Sequence, residues 1–583
     1  MNSIIKSLNI SNQHSRYSLY FIIFLMLVNS ILELLSIVLI IPIIGLVLDS
    51  NFSLNHPNVY LILDNLSNFF LNFIETEKEK KIIYLTLLIF LILMIFRFIF
   101  TIFFMWVVGK FKYELNVNLS RKVFNKYLNK PYSYFLNRNS ANLIRNSTNE
   151  VSLFSSLVEQ ILTMLTDLIL VSTLLIFLLI YDFKSTIIIF TLISFVAIIF
   201  LLFTKKKIIK YGIDRQVFNG KAFQYAKESF GGIKEIIILN RKSYFSKKFI
   251  NTINVLSNVI WKRKILQVLP KFILELFIIF TFVLYFIFSL YFDKPNEKII
   301  EALSIYLLSA IRAIPGVNRV VVGVQNLKFN KPVVELFKTD LNLENDNNYI
   351  NLSKKNGLDF SFKNKIEIKN LSFSYESSKN KVIENLNLEI NKGEFVGFKG
   401  KSGAGKSTLI DLMVGILKPQ SGKILADDVN INELNEIWRN KIGYVPQNVF
   451  LIDDTIKKNI CLGLDEDEID PIKLNNAINL SELDDFIKKL PKGLDSEIGE
   501  NGLQISGGQK QRIGIARALY LNPELIILDE SLNAVDLETE NKIIKSIKKV
   551  AGSKTIILVS HRQSTLDNCN IIYQLEDKII KRV

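Results

Sequence analysis

Six long apolar segments constrain the fold of this chain more than any other feature of its sequence. They cover approximately residues 19–48, 82–108, 153–180, 185–203, 273–292 and 299–324. An apolar stretch of about twenty residues is long enough to cross the hydrocarbon core of a bilayer as a helix. The sequence therefore predicts an α-helical membrane domain with six spans, and an overall content of 49% apolar residues agrees with it.

Basic residues indicate which side of the membrane the loops occupy. Lys and Arg total 71 against 55 Asp and Glu, a net charge of +16, and the polar stretches 109–152 and 204–265 carry many of them. Because cytoplasmic loops are enriched in Lys and Arg, we expect these stretches and both chain ends in the cytoplasm. Both stretches are long and continue the helical periodicity of a span, which predicts helices that extend past the membrane. Residues 59–74 are amphipathic and predict a helix that lies at the membrane interface or packs on the spans.

A glycine-rich loop in the C-terminal part matches the phosphate-binding pattern G-x-x-x-x-G-K-[ST]. An apolar strand at 394–398 precedes the loop, and a segment with helical periodicity at 409–416 follows it. Glycines let backbone N–H groups turn towards a polyphosphate, and the positive end of the helix points at the same anion. Lys406 is expected to neutralise the β- and γ-phosphates and Ser407 to bind Mg²⁺. The nucleotide-binding residues predicted from this loop are Gly400, Gly403, Gly405, Lys406, Ser407 and Thr408.

Two further motifs complete a nucleotide site. The apolar run 525–528 ends in Asp529 and Glu530, which are placed to hold Mg²⁺ through water and to polarise an attacking water. The segment Ser506-Gly507-Gly508-Gln509 opens a basic helix, and its N-terminus offers a second cradle for the γ-phosphate.

Together these motifs resemble the nucleotide-binding domain of an ABC transporter, and the resemblance implies further roles. Tyr375 matches the aromatic residue that stacks on adenine, and Gln447 matches the glutamine that contacts Mg²⁺ and senses the membrane domain. Asp536 matches the loop that crosses to a partner domain, and His561 matches the switch histidine at the γ-phosphate. The resemblance thus implies an ATP hydrolase with ATP and Mg²⁺ as cofactors.

The resemblance assigns individual residues to catalysis, Mg²⁺ binding and ATP binding. Glu530 and His561 are the implied catalytic residues. The implied Mg²⁺ contacts are Ser407, Gln447 and Asp529. The implied ATP contacts beyond the phosphate loop are Tyr375, Gln447, Ser506, Gly507, Gly508, Gln509 and Asp536.

The whole chain resembles a bacterial half-transporter of the type IV ABC exporter fold: six helical spans followed by an α/β P-loop ATPase domain. Expected boundaries are 1–341 for the membrane domain with its cytoplasmic extensions, 342–359 for a linker and 360–583 for the ATPase domain. In this family the segment that begins at Ser506 completes the ATP site of a second ATPase domain, and this chain has one. The resemblance therefore implies a homodimer in the inner membrane, with the ATPase domain in the cytoplasm.

The cargo has to be inferred from the charged residues of the spans. Arg312 and Arg319 lie seven residues apart, hence on one helical face, with Pro315 between them. Such a pair would attract an anionic head group such as a diphosphate, and Arg97 is a third candidate. Alternatively, these arginines pair with the acidic residues of the spans, Glu33, Glu159 and Asp167.

Segments 313–319, 326–329 and 231–235 resemble bacterial lipid-linked oligosaccharide flippases. The resemblance implies an exporter that moves a polyprenyl-diphosphate glycan, with membrane lipids and an anionic lipid-linked substrate as partners. Other readings of the sequence are a lipid A or glycolipid flippase, a multidrug or peptide exporter, and an ATP-gated channel or regulatory subunit. A nucleic-acid partner is not expected, because six spans precede the ATPase motifs.

Overall fold

The computed structural model of the protein describes residues 13–39, 57–70, 78–291, 296–339, 360–376, 378, 380–499, 502–532, 535–550 and 554–583. These residues form two compact units: the first comprises the described residues within 1–130 and 138–354, and the second those within 131–137 and 355–583. The predicted linker, residues 342–359, lies outside the described residues.

Helices make up the described part of residues 13–339. They are α1 (Gln13–Val38), α2 (Pro57–Phe70), α3 (Lys78–Leu128), α4 (Tyr132–Leu136), α5 (Ser140–Arg145), α6 (Val151–Tyr181), α7 (Phe183–Gly231), α8 (Ile233–Ile238), α9 (Lys242–Tyr291), α10 (Asn296–Phe329) and α11 (Lys331–Thr339). A π-helical turn, Asn146–Glu150, joins α5 to α6. Helix α2 covers residues 59–70 of the predicted amphipathic segment, and residues 71–74 lie outside the described residues.

Six of the described helices are long and apolar enough to cross a membrane. These candidate spans cover Ser18–Ser36, Lys80–Leu128, Ser140–Tyr181, Phe183–Gly231, Lys242–Ile287 and Ile305–Phe329. Helices α3, α7 and α9 contain 51, 49 and 50 residues. At 1.5 Å per residue each is about 75 Å long, more than twice the hydrocarbon thickness of a bilayer. The prediction of spans that continue as extended helices is therefore confirmed.

Close backbone contact holds α7 against α10. A Cβ atom added at Gly212 would overlap the carbonyl oxygen of Phe329 and would lie 2.9 Å from its carbonyl carbon. The buried Phe329 ring also receives two guanidinium groups, Arg263 of α9 with Cζ 3.8 Å from the ring centroid and Arg215 of α7 at 5.6 Å. Cation–π contacts and a helix crossing that only glycine permits therefore join three helices at one point.

The second unit is an α/β domain with two sheets. Its strands are β1 (Lys365–Phe373), β2 (Ile383–Asn391), β3 (Phe395–Lys399), β4 (Ser421–Ala426), β5 (Val429–Asn430), β6 (Ile442–Val445), β7 (Leu525–Asp529), β8 (Thr555–Val559), β9 (Ile571–Glu576) and β10 (Ile579–Arg582). One antiparallel sheet has the order β2-β1-β4-β5. The second has the order β10-β9-β3-β8-β7-β6, and only β10 runs antiparallel to its neighbour.

Helices pack around these sheets. They are α12 (Lys406–Val414), α13 (Ile431–Leu434), α14 (Glu436–Arg439), α15 (Ile456–Ile460), α16 (Pro471–Leu480), α17 (Asp484–Lys488), α18 (Gly507–Tyr520), α19 (Leu537–Val550) and α20 (Gln563–Leu566). The described residues of this unit also form two 3₁₀ turns, Glu466–Glu468 and Gly493–Asp495.

Both faces of the six-stranded sheet are covered, which explains its continuous apolar strands. Along β7, Leu525 and Ile527 belong to one buried core while Ile526 and Leu528 belong to the other. Because side chains alternate between the faces of a strand, a strand covered on both faces consists mostly of apolar residues until near its end. The first polar residues after each strand therefore gather along the carboxyl edge of the sheet.

Candidate nucleotide site

The phosphate loop lies between β3 and α12, as predicted. Gly403 and Gly405 have φ values of +82° and +102°, which are left-handed conformations that favour glycine. Gly400 has an ordinary φ, but a Cβ there would overlap the carbonyl oxygen of Leu575 on β9. The loop is therefore shaped by backbone that side chains would obstruct, and it delivers the N-terminus of α12 to the carboxyl edge of the sheet.

Lys406 spans this loop with its side chain. Its Nζ donates to the carbonyl oxygens of Gly400 at 2.9 Å and Lys401 at 3.1 Å. The same ammonium lies 3.3 Å from Nε2 of His561 and 3.9 Å from Oε1 of Glu530. Burial lowers the pKa of Lys406, while Glu530 and Asp529 act in the opposite direction. A buried cation above a loop of backbone donors is suited to a bound polyphosphate.

Glu530 is the meeting point of the site. It follows β7 with φ 50°, a left-handed conformation that is uncommon for a non-glycine residue, and its N–H donates to Val559 O at 3.0 Å. Its Oε1 lies 2.9 Å from His561 Nε2, and its Oε2 accepts a hydrogen bond of 2.9 Å from Gln447 Nε2. A carboxylate held at both oxygens keeps a defined orientation, which a base that orients an attacking water requires.

The site unites residues that follow four neighbouring strands. Lys406 follows β3, His561 follows β8, Glu530 follows β7 and Gln447 follows β6. These strands are adjacent in the order β3-β8-β7-β6. Parallel strands end at the same edge, so residues more than a hundred positions apart in sequence converge there.

The surroundings of Asp529 indicate whether the site is suited to bind Mg²⁺. Its Oδ1 is buried and has no hydrogen-bond partner among the described residues. Burial raises the pKa of Asp529, and hydrogen bonding by Ser407 and Tyr444 opposes that rise. Asp529 and Ser407 provide oxygen donors, which Mg²⁺ prefers, and an unpaired buried carboxylate oxygen fits a nearby cation. Asp529, Ser407 and the Gln447 amide oxygen are the groups that would hold Mg²⁺, which would neutralise charge on the phosphates when bound.

This site offers Mg²⁺ few protein ligands. Within the described ranges, no cluster of three or more His, Cys, Asp or Glu residues could hold a metal ion by itself. Mg²⁺ commonly keeps waters and substrate phosphates in its coordination sphere, so it binds to one or two protein groups together with the nucleotide. The donor set therefore fits a metal that arrives with ATP.

Tyr375 lies next to the phosphate-loop helix. Its hydroxyl is 2.9 Å from Oγ1 of Thr408, and its ring packs edge-on against Phe373 at 5.1 Å between centroids. These contacts place an aromatic ring beside α12, and the adenine-stacking role stays a prediction.

Two predicted contributors belong to other parts of the domain. Ser506 caps α18 through reciprocal bonds: its N–H donates to Gln509 Oε1 at 2.8 Å, and its Oγ accepts from the Gln509 N–H at 3.3 Å. Helix α18 packs against β6 and α16. Asp536 is exposed and caps α19, since its Oδ1 accepts from the Thr539 N–H at 2.9 Å. That hydrogen bond lowers the pKa of Asp536.

Sequence reasoning missed two neighbours of Asp529. Tyr444 lies on β6, and burial together with the charge of Asp529 raises the pKa of its hydroxyl well above the usual range. Asp411 lies four residues after Ser407 on α12, and burial with the nearby Asp529 raises the pKa of its carboxyl to about 6. The spacing of four residues placed Asp411 on the same helical face as Ser407 and was the available signal.

Charged residues of the membrane unit form ion pairs. The pairs are Arg97 Nη2 with Glu33 Oε1 at 2.6 Å, Lys112 Nζ with Glu159 Oε2 at 2.8 Å, and Arg319 Nη2 with Asp167 Oδ1 at 2.6 Å. Arg319 also donates from Nε to both Asp167 oxygens, at 2.9 and 2.8 Å. This matches the alternative interpretation for Arg97 and Arg319. Arg312 lies on α10, and the placement of its side chain is outside the described residues.

Six candidate spans and a P-loop site on a parallel sheet edge define a membrane protein with a nucleotide-binding domain. A family model described as "ABC transporter transmembrane region" matches residues 19–311, and one described as "ABC transporter" matches residues 383–533. The multidrug resistance-like ATP-binding protein MdlA of Buchnera aphidicola is 30% identical over 509 residues, which is 85% of this chain and 86% of that protein. This chain therefore belongs to the ABC transporter family.

Other relatives match over a smaller part. A putative export ATP-binding/permease protein of Rickettsia typhi is 40% identical over 213 residues, 36% of this chain and 37% of that protein. The match to this relative thus spans less than two-fifths of its length. A solved structure of a bacterial Atm1-family ABC exporter with ATP bound has a TM-score of 0.78 at 20% identity, covering 98% of this chain and 95% of that one. The predicted fold class, six spans followed by an ABC ATPase domain, is confirmed.

Proposed function

We propose that this chain is one half of an ATP-driven exporter that couples ATP hydrolysis to the movement of cargo across the membrane. The observation that carries the proposal is Glu530, held at one oxygen by Gln447 and at the other by His561, at the edge of the sheet that bears the phosphate loop. A carboxylate in this position is suited to orient the water that attacks the terminal phosphate, with Lys406 beside it. Six candidate spans supply the membrane part.

We further propose that two copies of the chain share two ATP sites. Helix α18 packs on β6, which lies three strands from β3 in the sheet. With neighbouring strands about 4.8 Å apart, this separates β6 from β3 by roughly 14 Å. A helix packed on β6 thus lies to one side of the strand that leads into the phosphate loop, which supports a role for the N-terminus of α18 at the site of a second copy; the exposed Asp536 would face the same partner.

Two inactive variants test the dimer. A chain with Lys406→Met has a defective phosphate loop and an intact Ser506 segment, whereas a chain with Ser506→Arg has the reverse. Coexpressed, they form mixed dimers in which one of the two shared sites has both intact halves. We expect ATPase activity in the mixture and little in either variant alone. A mixture as inactive as its components would refute sharing of the site.

For the cargo, we propose an anionic lipid-linked glycan, a polyprenyl-diphosphate oligosaccharide. Support comes from Arg319, whose side chain is 56% exposed although Asp167, its partner, is 7% exposed. Asp167 binds Nε and Nη2, and within the described residues Nη1 makes no hydrogen bond. A guanidinium fixed along one edge and open along the other is suited to donate to an oxyanion. Arg312 shares the helix, and Arg97 is enclosed with Glu33.

The first experiment measures ATPase activity of the full chain in lipid nanodiscs. Polyprenyl-diphosphate oligosaccharide, an uncharged glycolipid and a cationic amphiphile are titrated separately. Stimulation by the diphosphate lipid alone, lost in the Arg312→Ala/Arg319→Ala variant, is the expected result. Because stimulation reports binding and not transfer, flipping of a fluorescent lipid-linked glycan in proteoliposomes is measured in parallel.

Multidrug export is the second candidate. Several similar proteins carry the words multidrug export or multidrug resistance in their names. Pairing of Arg97 and Arg319 with Glu33 and Asp167 also neutralises charge that would repel a cationic compound. Stimulation by the cationic amphiphile, with indifference to the diphosphate lipid, would favour this candidate and overturn the glycan proposal.

A further inference from the structure

Glu540 is a buried carboxylate that the hydrolysis site does not use directly. It lies on α19 and is 2% exposed. Its two oxygens have separate partners: Oε2 accepts from Nη1 of Arg562, and Oε1 accepts from Oγ1 of Thr565. Burial of a charged carboxylate costs free energy unless hydrogen bonds compensate for the lost water. Breaking either contact would leave a buried oxygen without a partner, so both contacts are expected to persist.

Both partners belong to the segment that carries His561. Arg562 follows His561 directly, its N–H donates to Ser560 Oγ at 3.0 Å, and Thr565 lies on the following short helix α20. The His561 side chain is itself 42% exposed, so packing does little to fix its ring. Glu540 therefore anchors, from one side, the segment that sets Nε2 of His561 2.9 Å from Glu530.

The same carboxylate lies one helical turn from Asp536. The Glu540 N–H donates to Asp536 O at 2.8 Å, in the first turn of the helix that Asp536 caps. This bond and the cap bond from the Thr539 N–H to Asp536 Oδ1 connect Asp536 directly to the helical turn that carries Glu540. A displacement of the Asp536 loop would thus be passed through Glu540 to the His561 segment.

We propose that Glu540 is a positioning residue for ATP hydrolysis, which holds His561 against Glu530 and links the His561 segment to the Asp536 loop. The inference rests on the proposed function, ATP hydrolysis by a dimer in which Asp536 faces the partner. Glu540 acts through His561 and need not touch the nucleotide. Its loss therefore affects turnover more than ATP binding.

The test compares Glu540→Gln with Glu538→Gln in the full chain, in nanodiscs. Glu538 is on the same helix but its side chain is 80% exposed and pairs only with Lys542 among the described residues, at 2.7 Å, so it controls for loss of one negative charge. For Glu540→Gln we expect kcat to fall roughly ten- to a hundredfold, the effect of a misplacement near 1 Å, with the KM for ATP nearly unchanged. Glu538→Gln is expected to match the wild type.

A double variant separates positioning from general destabilisation. If Glu540 acts through His561, Glu540→Gln adds no further loss to His561→Ala, whereas independent structural damage multiplies the two effects. Thr565→Val removes one of the two bonds and leaves the ion pair, and it provides a milder variant, expected to lower kcat severalfold, should Glu540→Gln misfold.

Each result bears on a separate claim. Unchanged kcat in Glu540→Gln, or multiplied losses in the double variant, would overturn the role of Glu540. A wild-type chain that binds ATP without hydrolysing it would overturn the proposed function itself.

Discussion

The glycine at the crossing of α7 and α10 allows a sharp prediction, Gly212→Ala. In an open helix, alanine is more stable than glycine by about 1 kcal/mol. At Gly212 the added methyl group meets the carbonyl group of Phe329, and both clashing atoms are main-chain atoms, which cannot rotate away. Overpacking of this kind costs about 3 kcal/mol at the upper end of its usual range, which leaves a net loss of about 2 kcal/mol.

Gly109 is the matched control. It also lies within a long helix, α3, but a Cβ there meets no atom within 4 Å. We expect Gly109→Ala to raise the thermal unfolding temperature of the full chain and Gly212→Ala to lower it, measured by scanning fluorimetry in the same detergent. Gly212→Ala should also disturb the stacking of Arg263 on Phe329. If both variants were stabilised alike, the close crossing of α7 and α10 would be refuted.

Three further predictions concern the nucleotide domain. Lys406→Met should abolish binding of a fluorescent ATP analogue. Glu530→Gln should keep that binding and lower ATPase turnover by about a hundredfold or more, because it removes a charge aimed at the reacting centre. Equal losses of binding in the two variants would contradict their separate roles. Burial and Asp529 raise the pKa of Asp411 from 3.8 to about 6. Ionisation of this carboxyl therefore lowers the free energy of unfolding as the pH rises through that window. Asp411→Asn should unfold at a higher temperature than wild type at pH 7 but not below pH 4. A constant difference between the two proteins from pH 4 to pH 7 would show that Asp411 titrates normally. In a steady-state ATPase assay, Tyr375→Leu should raise the KM for ATP with little change in kcat. Tyr375→Phe loses only the contact with Thr408 and should resemble wild type. A matching rise in KM for Tyr375→Phe would instead assign the effect to the hydroxyl.

Features set by local sequence were predictable. The turn at Gly403 and Gly405 needs glycine at fixed spacing, and β7 needs an unbroken apolar run before Asp529, so both could be located without a structure. The long helices were predictable for the same reason, because their periodicity continues past the apolar part of each span.

Features set by tertiary pairing were not predictable to the same degree. Arg319 and Asp167 are 152 residues apart, and the sequence offered three acidic candidates without indicating which arginine each would meet. Glu540 gave no signal at all, because an acidic residue on a charged amphipathic helix is ordinarily exposed. Only the fold shows that this position turns inward towards Arg562 and Thr565.

The cap of α18 uses the hydroxyl group of Ser506 as a hydrogen-bond acceptor. One lone pair of Ser506 Oγ accepts the hydrogen bond from the Gln509 N–H, which satisfies a backbone donor that the helix would otherwise leave open. Within the described residues its hydrogen makes no hydrogen bond, so this hydroxyl could donate to an oxyanion. Aspartate would cap the helix equally well and yet repel the anion. In the proposed dimer, the cap would use a lone pair of this hydroxyl and phosphate binding would use its hydrogen, so aspartate would keep the first role and lose the second.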